Sequence, residues 1–474
     1  MKLFNSSFGL RYKRFSSASH NSPMNSIERR TTTALSSILC FRMLGLFLIL
    51  PVLALYTDNM SGATPLTIGL ALGIYGLTQA VLQLPFGFLS DKFGRKRLIV
   101  IGLILFALGS IVAAMASSIE FVILGRALQG SGAIAAVTLA LLADVTRENQ
   151  RTKAVALMGM SIGFSFVLAL ILGPILDAWI GLPGIFWSTA FLALAAIPVV
   201  IWLVPTVSVS HMRVISSGSP SNFLRTIEGR QLLALNCGIF VTHMMITAFF
   251  VAVPLYLLEN YSLPIDAHWQ VYVPVLAAAV LGVLPLLALS MSRGKVFLAL
   301  RTGIGILLLS PIVLFVGDAN FGLFLFGLWL FFLAFTLLEA LMPSLVTRLA
   351  PSSAKGSYIG VFNTFQFMGT FIGGVIGGWI FGINGGGGVF MFGTVAVLGL
   401  FILFLVSPVP QLLESVTITL KKAPIGDFSR LMERFRDLPG VHDVILLPEE
   451  YIVYLKVDPK RFNNDSTADI IGLD

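Results

Sequence analysis

The chain has 474 residues, of which 56% are hydrophobic and only 11% charged, and its mean hydropathy is +0.91. Soluble domains carry roughly 25% charged residues, so water is not the solvent for most of this chain. Its apolar runs are long and continuous where a β-barrel would show short alternating segments, which leaves helices that each need ~20 apolar residues to cross the hydrocarbon core. The formal charge of +8 describes no nucleic-acid surface, because Lys and Arg fall almost entirely into short gaps between apolar runs. Cys40 and Cys237 stand singly in apolar segments, so there is no disulfide framework and no metal-ligand cluster.

Residues 1–34 read as a polar tail, rich in Ser and Arg, on the cytoplasmic side. Its composition is like that of an organellar transit peptide. The plainer reading, preferred here, takes Met24 as the natural start and keeps Glu28-Arg29-Arg30 ahead of the first span. Twelve spans follow, at 35–57, 66–89, 97–117, 119–144, 153–178, 184–204, 231–258, 268–291, 295–317, 320–347, 356–382 and 388–407. The gaps between them alternate in charge. One set holds Lys92, Arg95, Lys96, Arg97; Arg147, Arg151, Lys153; Arg213, Arg225, Arg230; Arg293, Lys295; and Arg348, Lys355. The other holds Asp58, Glu120, Glu259, Asp266 and Asp318 and no basic residue. The positive-inside rule then puts both termini in the cytoplasm. A wrong helix count would scramble this alternation.

The polar segment 205–230 divides a six-helix bundle, 35–204, from a second, 231–407. Pro85, Ser90 and Gly94 recur as Pro285, Ser290 and Gly294, and spans 5 and 11 are both Gly-rich. Duplicated halves are common in transporters. From 415 to 474 the character changes to a cytosolic α+β domain. Val416–Leu420 alternates as a strand, 425–437 has helical spacing, and Val441–Leu447 and Tyr451–Val457 read as two further strands. The order β-α-β-β is most of a ferredoxin-like unit, with no confident fourth strand after it. The fold class is therefore an all-α membrane protein of twelve helices in two six-helix halves, with a small ferredoxin-like appendage.

The motif of greatest specificity is Gly87-Phe-Leu-Ser-Asp91-Lys92-Phe-Gly94-Arg95-Lys96. Gly87 permits close helix approach and Gly94 a tight turn. Asp91 suits the positive end of a neighbouring helix, and Arg95 calls for a carboxylate partner, for which Asp144 is the natural candidate. Lys96 and Arg97 need do no more than set topology. These residues resemble the signature loop of the major facilitator superfamily, with every defining position filled. Arg126-Ala-Leu-Gln129-Gly130 resembles that superfamily's Arg-x-x-Gln-Gly motif. Gly159, Gly163, Gly173 and Pro174 resemble the antiporter motif of its drug/proton branch, although the closing glycine pair is replaced around Ile175-Leu176-Asp177. Tight helix packing accounts for those glycines equally well.

Arg42-Met-Leu-Gly45-Leu-Phe47 in span 1, Leu338-Glu339-Ala340-Leu341-Met-Pro343 in span 10 and the C-terminal appendage are together similar to the YajR-like group of bacterial inner-membrane transporters, whose appended domain is of YAM type. That resemblance implies a proton-driven efflux antiporter of the bacterial inner membrane, drawing on the proton motive force without a bound cofactor. It also implies a monomer in the lipid bilayer whose partners are protons and a small-molecule substrate, with no nucleic acid.

Arg42, Gln79, Gln83, Arg126, His243 and Glu339 are polar residues well inside apolar spans, where ionisable groups are functional hypotheses by default. Glu339 lies ~13 Å from the end of its span, at 1.5 Å per residue. Two roles suit it equally: a proton site, or a member of the Arg95–Asp144 charge cluster. For His243, a hydrogen-bonded interior residue is the plainer reading, and Asp58 and Asp177 read as solvated at the outer ends of spans. Alternating access follows as the mechanism, with Asp91, Arg95 and Asp144 holding the cytoplasmic side closed. An uncoupled facilitator, a nutrient importer and a transporter-derived sensor remain as rivals. No phosphate-binding loop, metal spacing or nucleophile elbow points to an enzyme.

Overall fold

A computed structural model describes residues 23–56, 60–205, 215–216, 227–291, 295–317, 320–350, 355–407, 414–420, 428–447, 452–458, 461–463 and 467. Asp58, Asp318, Arg213, Arg225, Arg293, Gly294, most of the 205–230 segment, residues 1–22 and most of the chain after Asp458 lie outside them. The helices are α1 (Ser26–Phe47), α2 (Pro65–Phe93), α3 (Arg95–Ala114), α4 (Ile119–Ser131), α5 (Ala135–Val145), α6 (Glu148–Leu203), α7 (Ile227–Glu259), α8 (Trp269–Met291), α9 (Val296–Val316), α10 (Phe321–Leu349), α11 (Lys355–Val406) and α12 (Phe428–Arg436).

Among the described residues, nine helical stretches are long and apolar enough to cross a membrane. The number of crossings is larger, because two of those stretches run for 51 and 50 residues. At 1.5 Å per residue each is more than twice the ~30 Å of a hydrocarbon core. Each turns back at a glycine of positive φ, Gly181 (64°) in α6 and Gly385 (62°) in α11, a backbone state open to glycine without steric cost. α1 and the buried turns through Tyr56 supply the remaining crossing. Span 4 is not one helix as expected: it breaks at Gly132–Ile134 into α4 and α5.

Backbone contact between helices decides how the two halves meet. α11 carries glycines on two faces. Gly369 and Gly373 abut the α7 backbone at Phe240 and Met244, and Gly377 abuts Ala248. Gly374 and Gly378, on the other face, abut Gly69 and Pro65 of α2. A Cβ at Gly69, Gly73 or Gly374 would strike backbone atoms of the facing helix. In a bilayer, where burial of apolar side chains gives little drive, such small-residue seams are what holds helices together. The seam occupies the ends of α2 and α11 nearest the acidic loops. A continuous apolar core spans both halves at that level, joining Leu48–Leu55 and Phe186 to Phe249, Tyr272 and Phe324.

Towards the basic loops the contacts thin: Gly360 of α11 still meets the Leu84 side chain of α2, without backbone contact. A Cβ added at Gly87 or Gly94, or at Gly159 or Gly163 of α6, would meet nothing within 4 Å. The close approach expected at Gly87, and at the first two glycines of the antiporter-like motif, is therefore absent in this conformation. Gly173 does pack closely, against the Leu48 carbonyl and the Pro51 ring. The halves are joined at the acidic-loop face and separated at the basic-loop face.

The C-terminal domain forms a four-stranded antiparallel sheet in the order β1 (Ile215–Ser216), β3 (Val441–Leu447), β4 (Ile452–Val457), β2 (Glu414–Thr419). α12 lays the fully buried Phe435 on Val444, Leu446, Val453 and Leu455. The β-α-β-β order is as expected, and the fourth strand comes from an unexpected place: the segment linking the two bundles pairs Ile215 with Leu446 and Ser216 with Ile445. Lys456, buried in this domain, donates to the Ala350 carbonyl at the C-terminus of α10 at 2.5 Å.

Replacing Gly374 with Val should force α2 and α11 apart at the acidic-loop face. Spin labels at Leu66 and Trp379, both exposed, should separate by several ångströms relative to the parent protein. Gly87→Val should leave that distance unchanged.

Candidate functional site

Three polar clusters lie along the path between the halves. The first is the signature loop. Gly94 takes φ 95° and ends α2, so the chain reverses and Arg95 folds back on the turn before it. Its guanidinium reaches Asp91 at 2.6 Å, the Ser90 hydroxyl at 2.6 Å and Asp144 at 3.1 Å, and Ser90 in turn donates to the Gly87 carbonyl. Asp144 is the partner expected for Arg95. Asp91, expected at a neighbouring helix N-terminus, pairs with Arg95 instead. All of these residues belong to α2, α3 and α5, so the cluster does not bridge the halves, and it is fully formed while the basic-loop face is apart. Lys96 does more than set topology: its ammonium donates to the Ile201 and Val204 carbonyls at 2.7 and 2.9 Å, capping the end of α6.

A second ion pair stands beside it, unforeseen as a site. Glu28 accepts from the Arg147 backbone N–H and from its Nε and Nη2 at 2.9, 2.9 and 2.8 Å, and it closes a capping box with Asn25. The signal was in the sequence, since Asn25-x-x-Glu28 has capping-box spacing. Arg147 holds the Glu28 carboxyl down to about 2 by hydrogen bonding, against an ordinary value of 4.5.

The second cluster fills the N-terminal half. Arg42 and Arg126, both fully buried, lie on the Tyr75 ring at 5.7 and 5.1 Å. Arg42 donates to Gln79 at 2.7 Å and to the Gly132 carbonyl at 2.9 Å. That carbonyl lies in the break between α4 and α5, where it accepts from the Ile134 N–H at 2.8 Å and Arg42 supplies a second donor. Arg126 donates to the Ala71 carbonyl and to Gln129, and Gln129 donates to Ser110. Both arginines are buried in the bundle, Arg42 on the Gly132 carbonyl at the break between α4 and α5 and Arg126 on the Ala71 carbonyl within α2. Gln83 is buried nearby, its amide without a protein partner among the described residues.

The third cluster lies in the C-terminal half and faces the gap. Glu339 of α10 has about a third of its side chain exposed (37%). Its Oε1 accepts from Gln366 Nε2 at 3.2 Å, and the same amide lies 2.8 Å from His243 Nε2. His243 Nδ1 reaches the Ile239 carbonyl at 3.3 Å. One assignment satisfies all three bonds: Nδ1–H donates to Ile239, Nε2 is an acceptor, and the Gln366 amide donates both ways. Glu339 Oε2, 3.8 Å from His243 Nε2, has no hydrogen-bond partner among the described residues. Glu339 therefore does not join Arg95 and Asp144, one of the two roles expected for it. Gln366 was missed because a lone glutamine in a Gly-rich span carries no charge signal. Phe335 and Phe332 of α10 continue from this cluster onto Phe166 of α6, which meets Phe47 of α1. This aromatic bridge closes the gap on its acidic-loop side. Asp177, expected to be solvated, accepts from the Tyr56 hydroxyl at 2.7 Å.

Two halves of six crossings around a central gap, with a filled signature loop, define a transporter of the major facilitator type. The family model of the Major Facilitator Superfamily matches residues 35–374 and again 235–437, and the chain belongs to that superfamily. It is 41% identical over 436 residues to "Inner membrane transport protein YajR" of Escherichia coli (strain K12), an alignment covering 92% of this chain and 96% of that one. It is also similar to "Multidrug resistance protein MdtH" of Yersinia pestis (strain Pestoides F), at 26% identity over 72% of this chain and 84% of that one. Among solved structures, a bacterial homologue of the human lysosomal transporter Spinster superposes with a TM-score of 0.64 at 12% identity, covering 81% and 96% of the two chains. The human organic anion transporter MFSD10 (TETRAN) superposes with a TM-score of 0.60 at 17% identity, covering 80% and 99%. The chain is a multi-pass inner-membrane transporter of this superfamily.

The Glu28–Arg147 pair sets a pH dependence. Because the folded carboxyl titrates below its unfolded value, the stabilisation is complete above pH 4.5 and is lost as pH falls towards 2. Glu28→Gln should lower stability at pH 7 by about 2 kcal/mol. The difference from wild type in thermal unfolding should shrink below pH 4.5.

Proposed function

We propose that this protein exports small molecules in exchange for protons by alternating access. The reading assigns the basic-loop face, with both termini, to the cytoplasm, so the conformation described is open inward. It further takes the protein to be a monomer that works without a bound cofactor and has no enzymatic activity.

The observation that carries the proposal is the Glu339–Gln366–His243 chain, set inside the membrane and facing the gap. A carboxylate there has no stable cation among the described residues, and its cheapest neutralisation is a proton. The hydrogen-bond pattern makes the cluster two-state. Adding a proton at His243 Nε2 turns an acceptor into a donor, the Gln366 amide must then release it, and the imidazolium can face Glu339 Oε2 directly. Both arrangements hang on α7, α10 and α11, and α11 is the helix seamed to α2. A proton arriving in the gap can therefore bias the contact between the halves. The Asp91–Arg95–Asp144 cluster serves this motion by fixing the surface that the N-terminal half offers when the cytoplasmic face closes over Gly87. The outward direction is supported by the multidrug name of the Yersinia relative. Phe166, Phe332 and Phe335 beside the gap suit an apolar or weakly charged cargo.

Proteoliposomes carrying the purified protein and an imposed pH gradient test this, with a panel of toxic lipophilic compounds as cargo. Wild type should move substrate only with the gradient. Glu339→Gln should lose gradient-driven flux at least tenfold while substrate–substrate exchange persists. Gradient-driven flux at the wild-type rate in this variant would overturn the assignment, and flux indifferent to the gradient in wild type would mark an uncoupled facilitator. Asp91→Asn and Arg95→Gln should each abolish flux while membrane insertion stays normal. Wild-type flux in either one contradicts a role for the loop in closure.

A further inference from the structure

We propose that the groove between α1 and α6 at the basic-loop face is a binding site for the headgroup of an anionic phospholipid. The groove, of about 460 Å³, lies outside the gap between the halves. Its polar part is one stripe of α1: Ser26, Arg29, Arg30, Thr33 and Ser37. Phe41 and Val199 continue it towards the membrane interior, while Leu203, at the end of α6, lies at the level of Arg30. Ser26, Arg30, Thr33, Ser37 and Phe41 follow one another at helical spacing, so the stripe runs about 22 Å from charge to apolar floor. A phospholipid has the same order, phosphate above and acyl chain below. Exposed Ile201 and Trp202 flank the groove on α6, with Trp202 74% accessible, as suits an aromatic residue at a membrane interface.

The electrostatics commit the groove to an anion. No carboxylate lines it among the described residues. The nearby acid, Glu28, is buried and held by Arg147. Three carbonyls at the C-terminus of α6, which would otherwise offer negative charge, are occupied: Lys96 takes those of Ile201 and Val204, and Arg30 takes that of Trp202 at 2.6 Å. Arg29 is exposed and makes no ion pair among the described residues. Residues 1–22 hold four Lys or Arg and no Asp or Glu, so the chain's own tail cannot supply the counter-charge. Basic pockets between spans at the cytoplasmic boundary attract anionic lipid, with each arginine contributing about fivefold in affinity. The apolar floor selects a lipid over free phosphate.

Native mass spectrometry of the full-length protein, delipidated and titrated with phosphatidylglycerol or phosphatidylcholine, tests the site. Wild type should retain phosphatidylglycerol in preference. Replacing both Arg29→Gln and Arg30→Gln should weaken phosphatidylglycerol binding about thirtyfold. Arg29→Gln alone keeps the Arg30–Trp202 bond, and with it the local fold, and should cost about fivefold. Arg97→Gln, a basic-loop arginine outside the groove, should leave binding unchanged. Undiminished phosphatidylglycerol binding in Arg29→Gln would overturn the proposal. So would equal retention of phosphatidylcholine, displacement of the lipid by millimolar inorganic phosphate, or phosphatidylglycerol binding that emerges only after residues 1–22 are deleted.

Discussion

The structure turns on the absence of side chains along two faces of α11. Lipid tails are as apolar as the side chains they compete with, so helices in a bilayer hold together through van der Waals contact between backbones more than by hiding apolar surface. Gly374 and Gly378 give α11 that contact with α2, while Gly369 and Gly373 give it the same contact with α7. One helix is thereby in register with both halves at the acidic-loop face. Towards the basic loops Gly87, Gly159 and Gly163 face open space and Gly360 meets only the Leu84 side chain, so no backbone seam holds the halves there. The asymmetry between a tight seam and an open gap comes from where these glycines do and do not find a partner.

Against this apolar background, each buried polar group has a distinct solution. Arg42 and Arg126 pair with no acid among the described residues. They bind carbonyls and amides, including the Gly132 oxygen at the break between α4 and α5, and lie on the Tyr75 ring. Glu339 has one oxygen bound to an amide and the other without a hydrogen-bond partner among the described residues. Each cluster keeps buried atoms without a partner among the described residues, Arg42 Nε and Nη1, the Tyr75 hydroxyl and Gln79 Nε2 in one half and Glu339 Oε2 in the other, and a partly satisfied group can exchange partners at small cost.

The C-terminal domain is tied to the membrane part at two points. Its sheet takes an edge strand from the segment joining the bundles, and Lys456 caps the C-terminus of α10. α10 is also the helix that bears Glu339. An edge strand borrowed from the linker closes one flank of the sheet that would otherwise present unpaired backbone groups.

Legibility in the sequence follows from how local each signal is. The number of crossings, the division into halves and the β-α-β-β order of the appendage are written in apolar run length, loop charge and strand period, all properties of contiguous residues. The Arg95–Asp144 pair was legible because a motif fixes one end and an intramembrane-edge acid the other. Gln366 was not, since nothing in its own neighbourhood marks it; it matters because α11 brings it between His243 and Glu339. The Ile215 strand was equally hidden, two residues being too few for a period. Loop charge and hydropathy alone therefore determined that this chain is a two-halved membrane protein and which loops share a side. Only the tertiary structure decided that the signature cluster lies wholly within one half, that the lone glutamate faces the gap, and which face is closed. Those outcomes depend on which helix backbones can touch, and touching is settled between residues hundreds of positions apart.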